Sequence, residues 1–246
     1  MQTLRFLLRR DRHAVLRFLR ASYPMCSLPT RLGVLRRWIR ISNALRGYHT
    51  MAELLQVSDR ILIRAGQPDL RVVECGAGSG ASTAKLSLVC AVAGAELHVF
   101  DTFRGIPENR EQHRLLDGTP IRFKKGAFRG RLGAVQRRVE EFGEPSVCTF
   151  HKGLFAETLP PWNEAVDVGL LDVDLIASTE TCIKELFPLL RTGGCLFSQD
   201  GHLQATRRLL EDEHFWRDTV GHAPPPIRSP KDRKLITIEA TSARAI

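Results

Sequence analysis

Residues 71–80 have the sequence RVVECGAGSG, in which two β-branched valines lead into Glu74 and glycines follow at positions 76, 78 and 80. A short apolar run that stops at a glycine-rich turn is typical of a buried parallel strand. Residues 81–91 are rich in Ala, Leu, Lys and Ser, which favours a helix. Glycine lets backbone N–H groups approach a ligand closely, and a helix N-terminus offers unpaired donors. These residues therefore predict a strand, a turn and a helix that together form a binding site.

The glycines alone leave two cofactors open. Gly76, Gly78 and Ala81 satisfy the dinucleotide pattern G-x-G-x-x-G/A. Glu74, two residues before the first glycine, favours a different pattern, E-x-G-x-G-x-G, which resembles motif I of class I S-adenosylmethionine (SAM) methyltransferases. The resemblance implies that the turn holds the methionine end of SAM, since a strand-end acid and bare backbone suit its ammonium and carboxylate groups. A tight turn without a ligand is the remaining alternative.

Composition and charge narrow the class of protein. The 246 residues are 43% hydrophobic and 26% charged, which is ordinary for one globular domain with an extension. The net charge is +9, but residues 1–46 hold eleven Arg, one Asp and no Lys, a charge of +10, so residues 47–246 carry −1. The predicted catalytic part is therefore close to neutral, and we expect no nucleic-acid partner.

The cysteines and the apolar segments bear on the cellular compartment. Six cysteines occur without the spacing of a zinc site, which favours free thiols in a reducing compartment. We find no continuous apolar signal-peptide segment and no uncharged run of the roughly 18 residues that a membrane-spanning helix needs. We therefore expect a cytoplasmic protein.

The basic N-terminal residues 1–46 are predicted as a helical extension of a methyltransferase domain at 47–246. Residues 3–20 and 31–46 have apolar side chains at helical spacing with arginines between them. Such helices can lie on an anionic membrane surface, so residues 1–40 are a candidate membrane contact. The alternative is a helical layer packed on its own domain or on a second subunit, and we expect a homo-oligomer.

Predicted strands and helices alternate after residue 47. The predicted strands after the first are 96–101, 146–151, 166–172, 195–199 and 234–239, and the predicted helices are 51–65, 81–91, 131–142, 177–190 and 207–215. This alternation predicts an α/β fold: a Rossmann-like, doubly wound and mostly parallel seven-stranded sheet. Residues 110–132 show no clear strand and are predicted as a long loop with some helix, and loops of that length are usually functional.

Polar side chains end several of the predicted strands, at the edge where open α/β sheets bind ligands. Asp101 lies 25 positions after Gly76 and can accept hydrogen bonds from both ribose hydroxyls of the cofactor, although strand-end acids are also common caps. Asp172 and Asp174, with Gln199-Asp200, would lie on adjacent strand ends and offer the oxygen ligands that Mg²⁺ prefers. Capping by Asp174 and a plain loop position for residue 200 are the alternative.

Four motifs carry a resemblance to a family. They are DTFRGIP at 101–107, KGLFAETLP at 152–160, LDVDLIAST at 171–179 and LRTGGCLFSQD at 190–200. Over residues 47–210 the chain resembles the macrocin O-methyltransferases, which use SAM and a divalent metal to methylate sugar hydroxyls. The resemblance implies that Asp172, Gln199 and Asp200 are metal ligands, with Gln199 in place of a family Asp, so we expect weaker Mg²⁺ binding. It implies Asp172 as the base, and His202 is a local alternative.

The sequence thus predicts a SAM-dependent O-methyltransferase that acts on a small-molecule hydroxyl, most simply a sugar or glycosylated natural product. A non-catalytic SAM-binding protein and an NAD-dependent oxidoreductase remain as alternatives. The predicted cofactor contacts are Glu74, Gly76, Gly78, Gly80, Ser82, Asp101, Thr102, Gly153, Phe155 and Asp172.

Overall fold

A computed structural model describes residues 2–228 and 234–240, with the backbone alone for residues 2–10. The strands are β1 (Arg71–Cys75), β2 (Glu96–Asp101), β3 (His113–Arg114), β4 (Pro120–Ile121), β5 (Cys148–Lys152), β6 (Val166–Leu171), β7 (Leu190–Ser198), β8 (Ile227–Arg228) and β9 (Ile236–Glu239). The helices are α1 (Gln2–Arg20), α2 (Leu28–Ala44), α3 (Met51–Leu62), α4 (Ala81–Ala93), α5 (Leu132–Phe142), α6 (Phe155–Thr158), α7 (Ile176–Leu186) and α8 (Gln204–Glu211). Short 3-10 turns follow α5 and α7, and a π-helical turn spans Phe215–Val220.

Seven strands form one sheet in the order β5-β2-β1-β6-β7-β9-β8. The first five are parallel, and β9 pairs antiparallel with both β7 and β8. The prediction of a mostly parallel seven-stranded sheet is therefore confirmed. The strand order reverses direction at β1 and β6, which is where such sheets form a binding crevice.

Helices cover both faces of this sheet because side chains alternate along each strand. Val72 packs in a core shared with the helices α1 to α5, whereas its neighbour Val73 packs in the core shared with α7. Both valines are fully buried. The continuous apolar strands of the sequence are thus explained by two hydrophobic layers, one on each face.

The helices α1 and α2 join the first of these cores. Phe18, Trp38 and Ile41 are almost fully buried, and the indole Nε1 of Trp38 donates a hydrogen bond to the carbonyl of Lys85 on α4 at 3.0 Å. These contacts fit the alternative in which the basic segment packs on its own domain. A domain boundary at residue 46 and a membrane contact through residues 1–40 stay predictions. Among the described residues, no helix has the length and apolar character needed to cross a membrane.

Several predicted elements need correction. The loop 110–132 contains the short hairpin β3–β4 and no helix, because two-residue strands are too short to show a periodic pattern. The edge strand β8 directly follows the proline run 224–226 and was not among the predicted strands. Strand β7 begins at Leu190, five residues earlier than predicted, and includes the Gly193-Gly194 pair. All six cysteines are free, as predicted.

Candidate active site

A cavity of about 460 Å³ lies at the carboxyl ends of β1, β2, β6 and β7. Three parts of the chain enclose it: the strand ends, the segment Gly47–His49 before α3, and the long loop between β2 and α5. The loop is held in place by backbone hydrogen bonds between Ile106 and the turn at 126–127. The carboxylate of Glu111 accepts from the N–H groups of Ile176 and Ala177, so the loop also caps α7.

In the glycine turn at 76–80, some glycines allow close packing of the protein and one leaves room for a ligand. Gly76 has φ +93°, and a Cβ there would lie 2.0 Å from the carbonyl oxygen of Asp172, so β1 and β6 could not approach. Gly80 has φ +86° and faces Val135 of α5 rather than the cavity. Gly78 lines the cavity, and a Cβ on it would meet only the carbonyl of Phe128 at 3.7 Å. Of the three glycines, Gly78 therefore has the backbone that a ligand can approach most freely.

Glu74 lies outside this cavity, on the other side of the glycine turn. Its side chain is fully buried and accepts a hydrogen bond from Thr83 Oγ1 at 2.6 Å. Burial raises the pKa of Glu74 to about 7. Gly153, another predicted cofactor contact, also lies outside the cavity and packs on Thr158. These two residues are placed to support the walls of the site.

Asp101 lines the cavity at the end of β2, as its position in the sequence predicts. Its Oδ2 accepts hydrogen bonds from the N–H groups of Ala77 and Gly78 at 2.8 and 3.2 Å, and its Oδ1 accepts from Phe103 N at 2.6 Å. A carboxylate offers about four lone-pair sites. Thr102 Oγ1 lies 3.4 Å from Oδ1 at the fourth site, but its single proton can be donated to the carbonyl of Gly105 at 2.9 Å instead, which leaves that site to a ribose hydroxyl. Ser82, Thr102 and Phe155, also predicted as cofactor contacts, line the same cavity.

Three carboxylates meet at the ends of β6 and β7: Asp172, Asp174 and Asp200, which we call the acidic cluster. One ligand oxygen from each lies within 4.8 Å of the others. Asp200 Oδ2 accepts from the N–H groups of Val173 and Asp174, which ties the loop after β6 to the end of β7. Burial is the largest cause that raises the pKa of all three carboxyl groups. Neighbouring acids raise it further, and Lys234 lowers it, most strongly at Asp172.

The acidic cluster fits a divalent cation by the nature of its donors. Three mutually repelling carboxylates in one buried position are stabilised by a cation that their oxygens can share. The strand-end pattern predicted that Asp172 and Asp174 would lie near Gln199 and Asp200, and the three carboxylates do cluster. The family resemblance implied Asp172, Gln199 and Asp200 as the ligands and did not include Asp174, whose backbone has φ +60°. Gln199 lines the same cavity but is not one of the three clustered groups.

Several buried polar atoms around the acidic cluster lack a hydrogen-bond partner in the described part of the chain. They are His49 Nε2, both amide atoms of Gln199, Asp200 Oδ1 and His202 Nδ1. All four residues line the cavity. Because a buried polar group without a partner is rare and costly, these atoms mark the surface that a ligand covers.

His49 is the site residue that the sequence did not predict. Its Nε2 lies 3.5 Å from Asp172 Oδ2, and burial lowers its pKa to about 4, which leaves the ring neutral at pH 7. The segment that carries it is held by a capping box at the start of α3, in which the side chains of Thr50 and Glu53 each bond the other residue's backbone N–H. Asp11 of α1 accepts from Met51 N at 3.2 Å. The capping pattern was the available signal, because it fixes the segment directly before α3.

The strand order, the glycine turn after β1 and the acid at the end of β2 together define a class I SAM-dependent methyltransferase. The sequence model of the macrocin-O-methyltransferase (TylF) family matches residues 31–220, and the chain belongs to that family. It is therefore a SAM-dependent O-methyltransferase. Of the two cofactors that the glycine pattern left open, the family membership supports SAM.

Known proteins resemble the chain over most of its length. A rhamnosyl-tetracenomycin C 4'-O-methyltransferase of Streptomyces olivaceus is 27% identical, over 76% of this chain and 80% of the relative. The solved calicheamicin methyltransferase CalS11 shares 15% identity over 93% of this chain and 90% of its own, with a TM-score of 0.60. The O-methyltransferase NovP shares 18% identity over 90% and 84%, with a TM-score of 0.56. At these identities the two solved structures show a common fold.

Proposed function

We propose that the enzyme transfers the methyl group of SAM to a hydroxyl of a glycosylated small molecule. The observation that carries this proposal is the set of unpaired buried polar atoms beside the acidic cluster, which suits a polyhydroxylated ligand. The Streptomyces olivaceus relative supports it, since its name describes the 4'-hydroxyl of a dimethoxyrhamnosyl group as the acceptor.

SAM would lie along the glycine turn, with Gly78 and Ser82 at its methionine end and Asp101 at its ribose. Thr102 and Phe155 line the adjoining wall. The acceptor hydroxyl would lie on the other side of the cavity, beside Asp172.

Asp172 is the proposed proton acceptor and positioning group, with His202 as the alternative base. Both line the cavity, and His49 lies against the far oxygen of Asp172. Asp172, Asp174 and Asp200 would hold a divalent cation, with the Gln199 carbonyl oxygen as an uncharged further ligand. A bound divalent cation supplies Lewis acidity that lowers the pKa of a hydroxyl group.

The test is methyl transfer from deuteromethyl SAM to 8-demethyl-8-rhamnosyl-tetracenomycin C, with detection by mass spectrometry. The expected result is a product that carries one deuteromethyl group, with turnover that falls in EDTA and recovers with added Mg²⁺. SAM binding without transfer to any rhamnosylated acceptor would contradict the proposed acceptor class. If EDTA does not change turnover, the metal has no part in the reaction, while the proposed acceptor class still stands.

A further inference from the structure

Gln199 occupies a rigid position at the centre of the acceptor side. It directly follows β7, and its backbone N–H donates to the carbonyl of Leu171 at 2.8 Å, which fixes it against the end of β6. The residue is 3% exposed and lines the cavity. Its side chain therefore has few ways to turn toward bulk water.

The amide group of Gln199 is unsatisfied at both ends. Neither Nε2 nor Oε1 has a hydrogen-bond partner among the residues that the structure describes. Since both atoms lack a partner, the N–H donors are unsatisfied in either orientation of the amide group. A buried donor left without an acceptor costs about 1–3 kcal/mol. A ligand oxygen that accepts this hydrogen bond would offset the cost.

A cation accounts for only part of this group. A carboxamide oxygen can ligate Mg²⁺, but the two N–H donors cannot. Nearby carboxylate oxygens do not serve either, since Asp200 Oδ2 already accepts two backbone N–H groups and no group of the described chain forms a hydrogen bond with the amide. The two N–H donors of Gln199 are therefore available to a second ligand atom.

We propose that Gln199 determines acceptor specificity by donating a hydrogen bond to the oxygen next to the hydroxyl that is methylated. This inference rests on the proposed function. An amide N–H donates to a hydroxyl oxygen or to an ether oxygen, whereas a carbon that carries only hydrogen offers no acceptor.

The test compares three rhamnosylated tetracenomycin C acceptors that differ only at C3 of the sugar, beside the 4-hydroxyl. They carry a hydroxyl, a methoxy group or hydrogen at that carbon. We expect similar kcat/KM for the hydroxyl and methoxy acceptors and a value about 10- to 100-fold lower for the deoxy acceptor. Equal kcat/KM for all three would overturn the proposal, and that result requires no variant.

Two substitutions sharpen the test. Gln199→Met keeps the length of the side chain and removes its polar atoms, so the three acceptors should then differ by less than about 3-fold. Thr181→Val is the matched control, because Thr181 lines the same cavity but its hydroxyl already donates to the carbonyl of Ala177 within α7. It should preserve the preference for oxygen over hydrogen. Discrimination that survives Gln199→Met would contradict the inference.

Binding to the protein loaded with S-adenosylhomocysteine separates this inference from the proposed function. Calorimetric discrimination among the three acceptors without any methyl transfer would support Gln199 and contradict the proposed function. Transfer to all three at equal rates would support the function and overturn the role of Gln199. If none of the three acceptors binds, both fail.

Discussion

The proposed cofactor half of the cavity, made of the glycine turn 76–80 and Asp101, differs in its hydrogen bonding from the proposed acceptor half around Asp172, Gln199 and Asp200. Asp101 accepts three backbone hydrogen bonds from the turns around it. Across the cavity, Gln199, Asp200 and His202 all carry buried polar atoms without a partner among the described residues. The difference teaches that the cofactor half is shaped by backbone and glycine, while the acceptor half depends on the ligand that covers it.

We expect the largest effect from a side chain introduced at position 76, where the glycine turn touches the end of β6. Gly76→Ala puts a Cβ 2.0 Å from the carbonyl of Asp172 at φ +93°, so the two halves can no longer meet. We expect the free energy of unfolding to fall by about 3 kcal/mol or more, from overpacking together with the left-handed backbone. Urea denaturation measures it.

Gly78→Ala is the control for this loss. Its φ is +49° and the nearest atom to a new Cβ is 3.7 Å away, so we expect a cost of about 1 kcal/mol. Equal losses for Gly76→Ala and Gly78→Ala would mean that the turn relaxes and that the two halves are not held by close backbone contact.

Asp172→Asn tests the acceptor half alone. Removing this charge should lower kcat by about 100-fold or more, as expected for the loss of a proton acceptor, with SAM affinity within about 2-fold of wild type. Rapid-quench assays and calorimetry give the two quantities. Asp117→Asn, an exposed carboxylate in the β3–β4 turn, should leave both unchanged. If Asp172→Asn stays active while a His202→Phe variant does not, the proton acceptor is His202.

Gly78→Val tests the cofactor half alone. Gly78 lines the cavity, and the space beside its Cα is where SAM would approach the turn. We expect SAM affinity to fall by about 10-fold or more while cooperative unfolding is retained. Calorimetric titration with SAM checks the affinity and circular dichroism checks the fold. If a folded Gly78→Val variant binds SAM with unchanged affinity, the glycine turn is not part of the cofactor site.

The cofactor half was predictable from sequence because its signals are local. The glycine spacing and the strand-end position of Asp101 lie within one βαβ unit, and the order of strands and helices predicts the sheet. Even so, the sequence assigned Glu74 and Gly80 to the cofactor, whereas the structure places both outside the cavity. Spacing shows that an acid and a glycine are present but not which way they face.

The acceptor half was only partly predictable because its residues meet through tertiary contacts. Asp172 and Asp200 follow strands whose carboxyl ends share an edge, so their meeting was expected. His49 comes from a segment 123 positions before Asp172, and nothing in either motif links the two. The hairpin β3–β4 and the edge strand β8 were missed for a related reason. A two-residue strand is stabilised by pairing with its neighbour and is too short to show a periodic pattern of its own.

The last prediction concerns the pH dependence of stability, which should arise around the acidic cluster. Burial, with a smaller contribution from neighbouring acids, raises the pKa of Asp172, Asp174 and Asp200 above the ordinary value of 3.8. Between that value and the folded pKa, the native state holds protons that the unfolded state has released. In EDTA the free energy of unfolding should therefore fall as pH rises from about 4 toward neutrality, by up to about 1.4 kcal/mol per pH unit for each such group. Asp174→Asn should flatten this slope in urea denaturation between pH 5 and 8, whereas Asp117→Asn should not. Added Mg²⁺ should restore stability most at the upper end of that range, since a cation favours ionised carboxylates. A slope that Asp174→Asn leaves unchanged would mean that the cluster is ionised without a cation, and the acceptor half would then be as self-sufficient as the cofactor half.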